Sequence, residues 1–186
     1  MTNSLYFLRH AETKVDLSIP AREWQITAEG ARLTRELASS ETLSAIDGII
    51  HSSEEKAKQT AEIFAEGLEV QMYQLSGLDE LVREHQGKLT EEEYTEKVYR
   101  TLSDPEGNVP GWESGASALR RFEDSVKKVD IMFHRKNVLI VSHGLVLILY
   151  FSKLKNLEAI AYERWKQLEF LAWGLVREGR VLVDIV

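Results

Sequence analysis

The chain has 186 residues, a length that fits one compact domain better than two. It contains no cysteine, which excludes disulfide bonds, thiolate metal sites and cysteine nucleophiles. The net charge of −7 disfavours binding to nucleic acids and to anionic membranes, although a few cations in a pocket can still bind a small anion. No segment has the apolar length of a membrane span, and the amino terminus lacks a basic leader, so we expect a cytoplasmic protein.

The first predicted elements are a strand, a loop and a helix. Residues 5–8 form an uninterrupted apolar run, which is typical of a strand buried on both faces. Residues 11–25 are of mixed character and predict a loop. A helix capped by the threonine at its start is predicted over residues 27–39, and we expect Leu33 and Leu37 on its inner face.

Two strands and two helices are predicted in the middle of the chain. Residues 46–50 and 70–73 predict strands. Between them, a helix over residues 53–66 begins at a capping serine, followed by two glutamates that suit the positive end of its dipole. Residues 77–112 are acidic and irregular, with one helix predicted at residues 90–102. We interpret this segment as an excursion from the core that determines selectivity.

The remaining elements complete an alternating pattern. Residues 114–133 predict a long amphipathic helix, and residues 138–141 predict the strongest buried strand, followed by an apolar helix over residues 145–153. Residues 170–176 and 181–186 predict a β-hairpin. Because strands alternate with helices, we predict an α/β fold with a mostly parallel sheet and helices on both faces.

Polar clusters follow three of the predicted strands, where ligands collect in an open α/β sheet. They contain Arg9 and His10, then Lys56, then His143 and Gly144. Arginine offers a planar fork for phosphate oxygens and lysine a compact charge, while the helix that opens at Gly144 offers free backbone N–H groups. A neutral imidazole can attack phosphorus directly. Each residue alone is more simply structural, but their coincidence at strand ends predicts a phosphate site that contains a nucleophile.

Four stretches of the chain together resemble the histidine phosphatase superfamily, the phosphoglycerate-mutase-like family. Residues 8–13 (LRHAET) resemble its Arg-His-Gly signature, and residues 24–30 (WQITAEG) resemble its Leu-Thr-x-x-Gly stretch. Residues 52–61 (SSEEKAKQTA) resemble its Ser-x-x-x-Arg-Ala-x-x-Thr-Ala stretch, and residues 141–144 (VSHG) match its second histidine motif. The stretches occur in family order. The resemblance implies a three-layer α/β/α sandwich over residues 1–186.

The resemblance also implies a role for each matching residue. His10 would be the phosphorylated nucleophile, Arg9 would clamp the phosphoryl oxygens, and His143 would stabilise the transition state. Lys56 stands where the family usually has an arginine, so it keeps the charge and loses the bidentate fork. The expected substrate-binding residues are Arg9, Thr13, Lys56, His143 and Gly144.

The general acid is the least determined part of the predicted site. The family places a carboxylate after the third strand, and Glu84 fits that pattern best, although Glu80 also fits. Two departures from the family stand near the nucleophile. Ala11 replaces the usual glycine, and Leu17 stands where an asparagine often contacts the phosphate.

Three functions are compatible with these residues. The first is a phosphomonoesterase for a small phosphorylated substrate, working through a phosphohistidine and needing no metal or other cofactor, because cations and a helix dipole supply the electrostatics. The second is a phosphoglycerate mutase, which the short excursion at residues 77–112 disfavours. The third is a regulatory or binding domain that has lost turnover, which Lys56 and Leu17 keep open.

Overall fold

The computed structural model describes residues 2–83 and 89–186. A six-stranded sheet with the order β3-β2-β4-β1-β5-β6 lies at the centre. The first four strands along the chain pair in parallel, and β5 and β6 add antiparallel pairings at one edge. The predicted α/β fold with a mostly parallel sheet is therefore confirmed. The strands are β1 (Ser4–Arg9), β2 (Gly48–His51), β3 (Met72–Gln74), β4 (Asn137–Ser142), β5 (Trp173–Arg177) and β6 (Arg180–Val183).

Helices cover both faces of the sheet, as the alternation of side chains along the central strands shows. Phe7 and Ile140 pack with apolar residues of α4 and α5, whereas Leu8 and Val141 pack with those of α1 and α2. No helix within the described ranges is both long and apolar enough to cross a membrane. The helices are α1 (Ala28–Ala38), α2 (Glu55–Leu68), α3 (Glu91–Ser103), α4 (Gly115–Met132), α5 (Gly144–Lys155) and α6 (Ala161–Gln167).

Three helices begin at the hydroxyl residues that the sequence indicates. Thr27 accepts a hydrogen bond from the backbone N–H of Gly30, and Ser114 accepts one from Ser117. Thr90 forms a reciprocal capping box with Glu93 at the start of α3. Each cap satisfies a backbone N–H group that has no partner within its helix. The starts of α1, α3 and α4 are therefore determined locally.

The expected inner face of α1 is wrong at Leu33, which is 39% exposed. The buried side of the helix carries Gly30, Thr34 and Ala38 instead. A Cβ atom at Gly30 would lie only 2.8 Å from the backbone oxygen of Glu12. Because the helix packs so closely on the preceding loop, this face needs small residues and the leucine turns outward.

The predicted start of α2 is also wrong. The helix begins at Glu55 and ends at Leu68, and Ser53 does not cap it. The backbone N–H and the hydroxyl of Ser53 both donate to the carboxylate of Asp79 at 2.6 Å. This tertiary contact removes Ser53 from the helix terminus and ties α2 to the segment after β3. The short helix α6 lies where no element is predicted above.

The carboxyl ends of β1, β2 and β4 meet at one edge of the sheet. Arg9, the last residue of β1, is in register with Ser142, the last residue of β4, and His51 of β2 is in register with Val141. The residues that follow these strands therefore emerge side by side. They are the polar clusters that the sequence indicates.

Candidate active site

Two imidazoles from distant parts of the sequence face each other at this edge. The ring centroids of His10 and His143 are 5.1 Å apart. The side chains are almost fully enclosed, with residue exposures of 6% and 0%. The backbone N–H of His10 donates to the oxygen of Ser142 at 2.9 Å, which fixes the two strand ends together. The structure thus brings both predicted histidines to one point.

The hydrogen bond of His10 determines which ring nitrogen can react. Nδ1 of His10 lies 2.8 Å from the backbone oxygen of Ala11. A carbonyl oxygen only accepts hydrogen bonds, so Nδ1 carries the proton and Nε2 has a free lone pair in the neutral ring. The geometry therefore presents Nε2 as a nucleophile.

Arg9 lies beside the two histidines, and two contacts hold its guanidinium. Nη1 donates to the backbone oxygen of Leu168 at 2.5 Å, and the guanidinium lies 4.1 Å from the centre of the Phe170 ring. Its buried Nε has no hydrogen-bond partner in the described part of the chain. Burial lowers the pKa of Arg9 and the nearby carboxylate of Glu80 opposes that shift. A half-buried guanidinium with an unpaired N–H is suited to bind an anion.

Lys56 is buried at the start of α2 and is already paired. Its ammonium group donates to the carboxylate of Glu54 and, at 2.8 Å, to the backbone oxygen of Ala21. The partner Glu54 is equally buried, so this is an internal ion pair and not a surface one. The predicted cation is in place, and an anion that the sequence analysis did not assign to the site accompanies it.

Ser52 connects β2 to the second histidine. Its hydroxyl lies 2.5 Å from Nε2 of His143 and accepts a hydrogen bond from the backbone N–H of Glu54 at 3.2 Å. The residue is fully buried. Ser52 belongs to the stretch that resembles the family, but no feature of the sequence assigns it to His143, because the contact joins two strands that are distant in sequence.

The carboxylate of Glu80 lies at the amino terminus of α5. Its two oxygens accept backbone N–H bonds from Leu145 at 2.9 Å and from Val146 at 3.2 Å. A phosphate group at this helix terminus would therefore meet Gly144 and not these two N–H groups. Backbone N–H groups at a helix start stabilise negative charge. Glu84, the preferred general acid above, lies outside the described residues.

Two further residues lie near the histidine pair: Arg83, in the segment after β3, and Phe170, in the segment before β5. Arg83 contacts the Tyr94 hydroxyl at 3.3 Å and lies 5.4 Å from the centre of the Trp112 ring. Phe170, whose ring centre is 5.7 Å from that of His10, is 41% exposed. Sequence reasoning missed both. Thr13, an expected substrate-binding residue, lies in the loop after β1, where its backbone pairs with Ile26.

The protonation of the two histidines follows from their burial and from the cations around them. The pKa of His10 is held well below its ordinary value, first by burial and then by the charges of His143 and Lys56. Burial likewise lowers the pKa of His143, with Lys56 and Arg83 adding to the effect. Both rings are therefore neutral near pH 7, as nucleophilic attack by Nε2 requires.

Because His10 and His143 are neutral in the folded protein, we expect the free energy of unfolding to depend on pH. As the pH falls below about 6.5, the unfolded chain takes up protons on these histidines and the folded chain does not, so the free energy of unfolding decreases by about 1.4 kcal/mol per pH unit for each. His10→Gln should reduce the slope of unfolding free energy against pH between about pH 6 and 5 by that amount. Urea titrations at several pH values measure it. His134→Gln, at an exposed position, is the control, and an unchanged slope in His10→Gln would contradict the prediction.

No group of three histidine, aspartate or glutamate side chains among the described residues is arranged to hold a metal ion. The cations near the histidine pair include Arg9, Lys56 and Arg83, and the carboxylates of Glu54 and Glu80 oppose them. The arrangement can bind a small anion between cations and present an imidazole nitrogen to it. The chain is therefore an α/β protein with two buried histidines at the carboxyl edge of a mostly parallel sheet.

Comparison with known proteins identifies the family. The family model of the histidine phosphatase superfamily (branch 1) matches residues 5–177, and the chain belongs to this superfamily. A probable phosphoglycerate mutase, GpmB, of Proteus mirabilis is 29% identical over 171 residues, which cover 86% of this chain and 78% of that protein. An adenosylcobalamin/alpha-ribazole phosphatase of Salmonella typhimurium is 27% identical over 164 residues, covering 83% of this chain and 81% of that one.

A solved structure extends the comparison to the fold. The mycobacterial glucosyl-3-phosphoglycerate phosphatase superposes with a TM-score of 0.77 at 18% identity and covers 100% of both chains. The superfamily expected from the sequence motifs is therefore confirmed, as is a phosphoglycerate-mutase-like fold. The named relatives include both phosphatases and a mutase, so membership alone does not distinguish the two reactions.

Proposed function

We propose that the protein is a phosphomonoesterase that transfers a phosphoryl group from a small substrate to Nε2 of His10 and then to water. The observation that carries the proposal is the geometry of His10, whose Nδ1 lies 2.8 Å from the oxygen of Ala11 and whose ring centre lies 5.1 Å from that of His143. Arg9 and Lys56 supply positive charge for the phosphoryl oxygens. No metal ion is required, because these cations already provide the electrostatic stabilisation that phosphoryl transfer needs.

The first step forms a bond between Nε2 of His10 and phosphorus while the bond from phosphorus to the leaving oxygen breaks. The leaving oxygen takes a proton from a carboxyl group, and we assign this role to Glu80, because its carboxylate lies at the start of α5 beside the histidine motif. Donation of this proton requires the protonated form of the carboxyl group. In the second step water attacks phosphorus, the N–P bond breaks, and the carboxylate takes the proton from water.

A phosphoglycerate mutase is the second candidate function, and the similarity to GpmB of Proteus mirabilis supports it. A mutase returns the phosphoryl group to the sugar acid and must therefore keep water from the phosphohistidine. The structure describes one α-helix, α3, and irregular chain in residues 77–83 and 89–112, and Phe170 beside His10 is partly exposed. The shortness of the excursion at residues 77–112 favours hydrolysis over transfer.

The proposal is tested with the wild-type protein and a panel of phosphate esters. We expect steady release of phosphate from p-nitrophenyl phosphate at mildly acidic pH, unchanged by EDTA, and an acid-labile phosphoryl group on His10 in rapidly quenched samples analysed by mass spectrometry. Conversion of 3-phosphoglycerate to 2-phosphoglycerate would favour the mutase. The absence of turnover across sugar phosphates, nucleotides and phosphopeptides would favour a binding domain without activity.

A further inference from the structure

The carboxylate of Glu54 occupies part of the space between the groups that would bind a phosphoryl oxygen. Oε2 accepts from the ammonium group of Lys56, and Oε1 accepts from the backbone N–H of Glu80 at 2.9 Å. Oε1 also lies 3.8 Å from Nε2 of His143. An ammonium group, a backbone N–H and an imidazole are all ligands of phosphate in proteins. The residue is only 6% exposed, so its charge is little screened by water.

We infer that Glu54 competes with the phosphoryl group for Lys56 and so lowers the affinity of the site for inorganic phosphate. The inference rests on the proposed function, because it takes this cluster as the phosphoryl site. Its consequence concerns the end of the reaction. A site that binds free phosphate weakly releases this product readily.

The charges of the cluster support the competition. Three cations, Arg9, Lys56 and Arg83, lie near the histidines together with two carboxylates, and Glu54 is the carboxylate that is paired with Lys56. Lys56 has three N–H donors, of which Glu54 and the oxygen of Ala21 already use two. An incoming phosphate must either displace Glu54 from Lys56 or accept the remaining donor while lying close to a like charge. Both outcomes weaken binding.

If Glu54 positions Lys56 and does not compete with phosphate, the expected change in affinity has the opposite sign. If Glu54 served only to hold Lys56 in place, its removal would leave a buried ammonium group without an anion and would misplace it. Phosphate would then bind more weakly to the variant. The sign of the change in affinity therefore separates competition from positioning.

The test measures binding of inorganic phosphate by isothermal titration calorimetry, without turnover. We expect Glu54→Gln, which keeps the shape and loses the charge, to bind phosphate about tenfold more tightly than wild type. Lys56→Met should bind phosphate more weakly. In the double variant the gain from Glu54→Gln should largely disappear, because the competition acts through Lys56. Unchanged or weaker binding by Glu54→Gln overturns the inference.

Two further variants control the experiment. Glu55→Gln removes the same charge one residue away, where the carboxylate faces Lys58 at 3.9 Å, and its phosphate affinity should stay within about twofold of wild type. If Glu54→Gln fails to fold, Glu54→Asp withdraws the carboxylate by one methylene and should bind phosphate more tightly than wild type. Weaker binding by that variant would also overturn the inference. If Glu54→Gln binds phosphate more tightly but the wild-type protein forms no phosphohistidine, only the proposed function is rejected.

Discussion

His10→Ala should reduce phosphatase turnover by about 10⁴-fold or more, since the group that becomes phosphorylated is removed. His143 is only 5.1 Å away between ring centres, but its Nε2 is 2.5 Å from the hydroxyl of Ser52 and its Nδ1 is buried, so we expect that it does not replace the lost nucleophile. Initial rates on p-nitrophenyl phosphate and on alkyl phosphates measure the loss. Circular dichroism spectra and unfolding curves establish that the variant is folded.

His51 provides a matched control for this substitution. It is also a buried histidine at the end of a parallel strand, and its Nδ1 lies 2.7 Å from the backbone oxygen of the next residue, Ser52. His51→Ala therefore removes the same kind of local bond and should cost about 1–3 kcal/mol of stability while the folded protein remains active. Equal hydrolysis of a broad ester panel by wild type and His10→Ala would reject both enzymatic functions and favour the binding domain.

The sequence was sufficient to predict the convergence of the histidines, and the reason is geometric. Arg9 and Ser142 are the last residues of two buried apolar strands, and parallel strands in register place their following residues side by side. The distance between His10 and His143 is therefore determined by the backbone. The family motifs lie at such strand ends, which is why they locate the fold and the histidine pair together.

The internal ion pair could not be predicted in the same way. Glu54 and Glu55 are adjacent and chemically identical, and both suit the start of a helix. Only Glu54 turns inward, because the backbone N–H of Glu80 donates to it from a segment 26 residues away. Likewise, serine is a good capping residue, but the N–H and the hydroxyl of Ser53 donate to Asp79 instead of capping the helix. Contacts between distant segments, which no local pattern encodes, decided both cases.

Glu80→Gln should show whether this residue is the general acid. The substitution is nearly isosteric. The amide oxygen can accept one of the two backbone N–H bonds at the start of α5, but the amide NH2 group cannot accept the other, so the helix start keeps only part of its cap. An alkoxide leaves only when it is protonated, whereas p-nitrophenolate leaves without help. We therefore expect kcat/KM to fall by about 10²–10⁴-fold for alkyl phosphates and far less for p-nitrophenyl phosphate.

Glu84→Gln is the parallel experiment, because both glutamates fit the family pattern. If Glu80 donates the proton, the ratio of the losses on alkyl and aryl esters is large for Glu80→Gln and near one for Glu84→Gln. The reverse ratios would assign the acid to Glu84. If a substitution causes equal losses on both types of ester, the substituted glutamate is not the general acid. For Glu80, that outcome would mean that the residue has only a structural role. This role is to accept the hydrogen bonds from Leu145 and Val146 that hold the start of α5 beside His143.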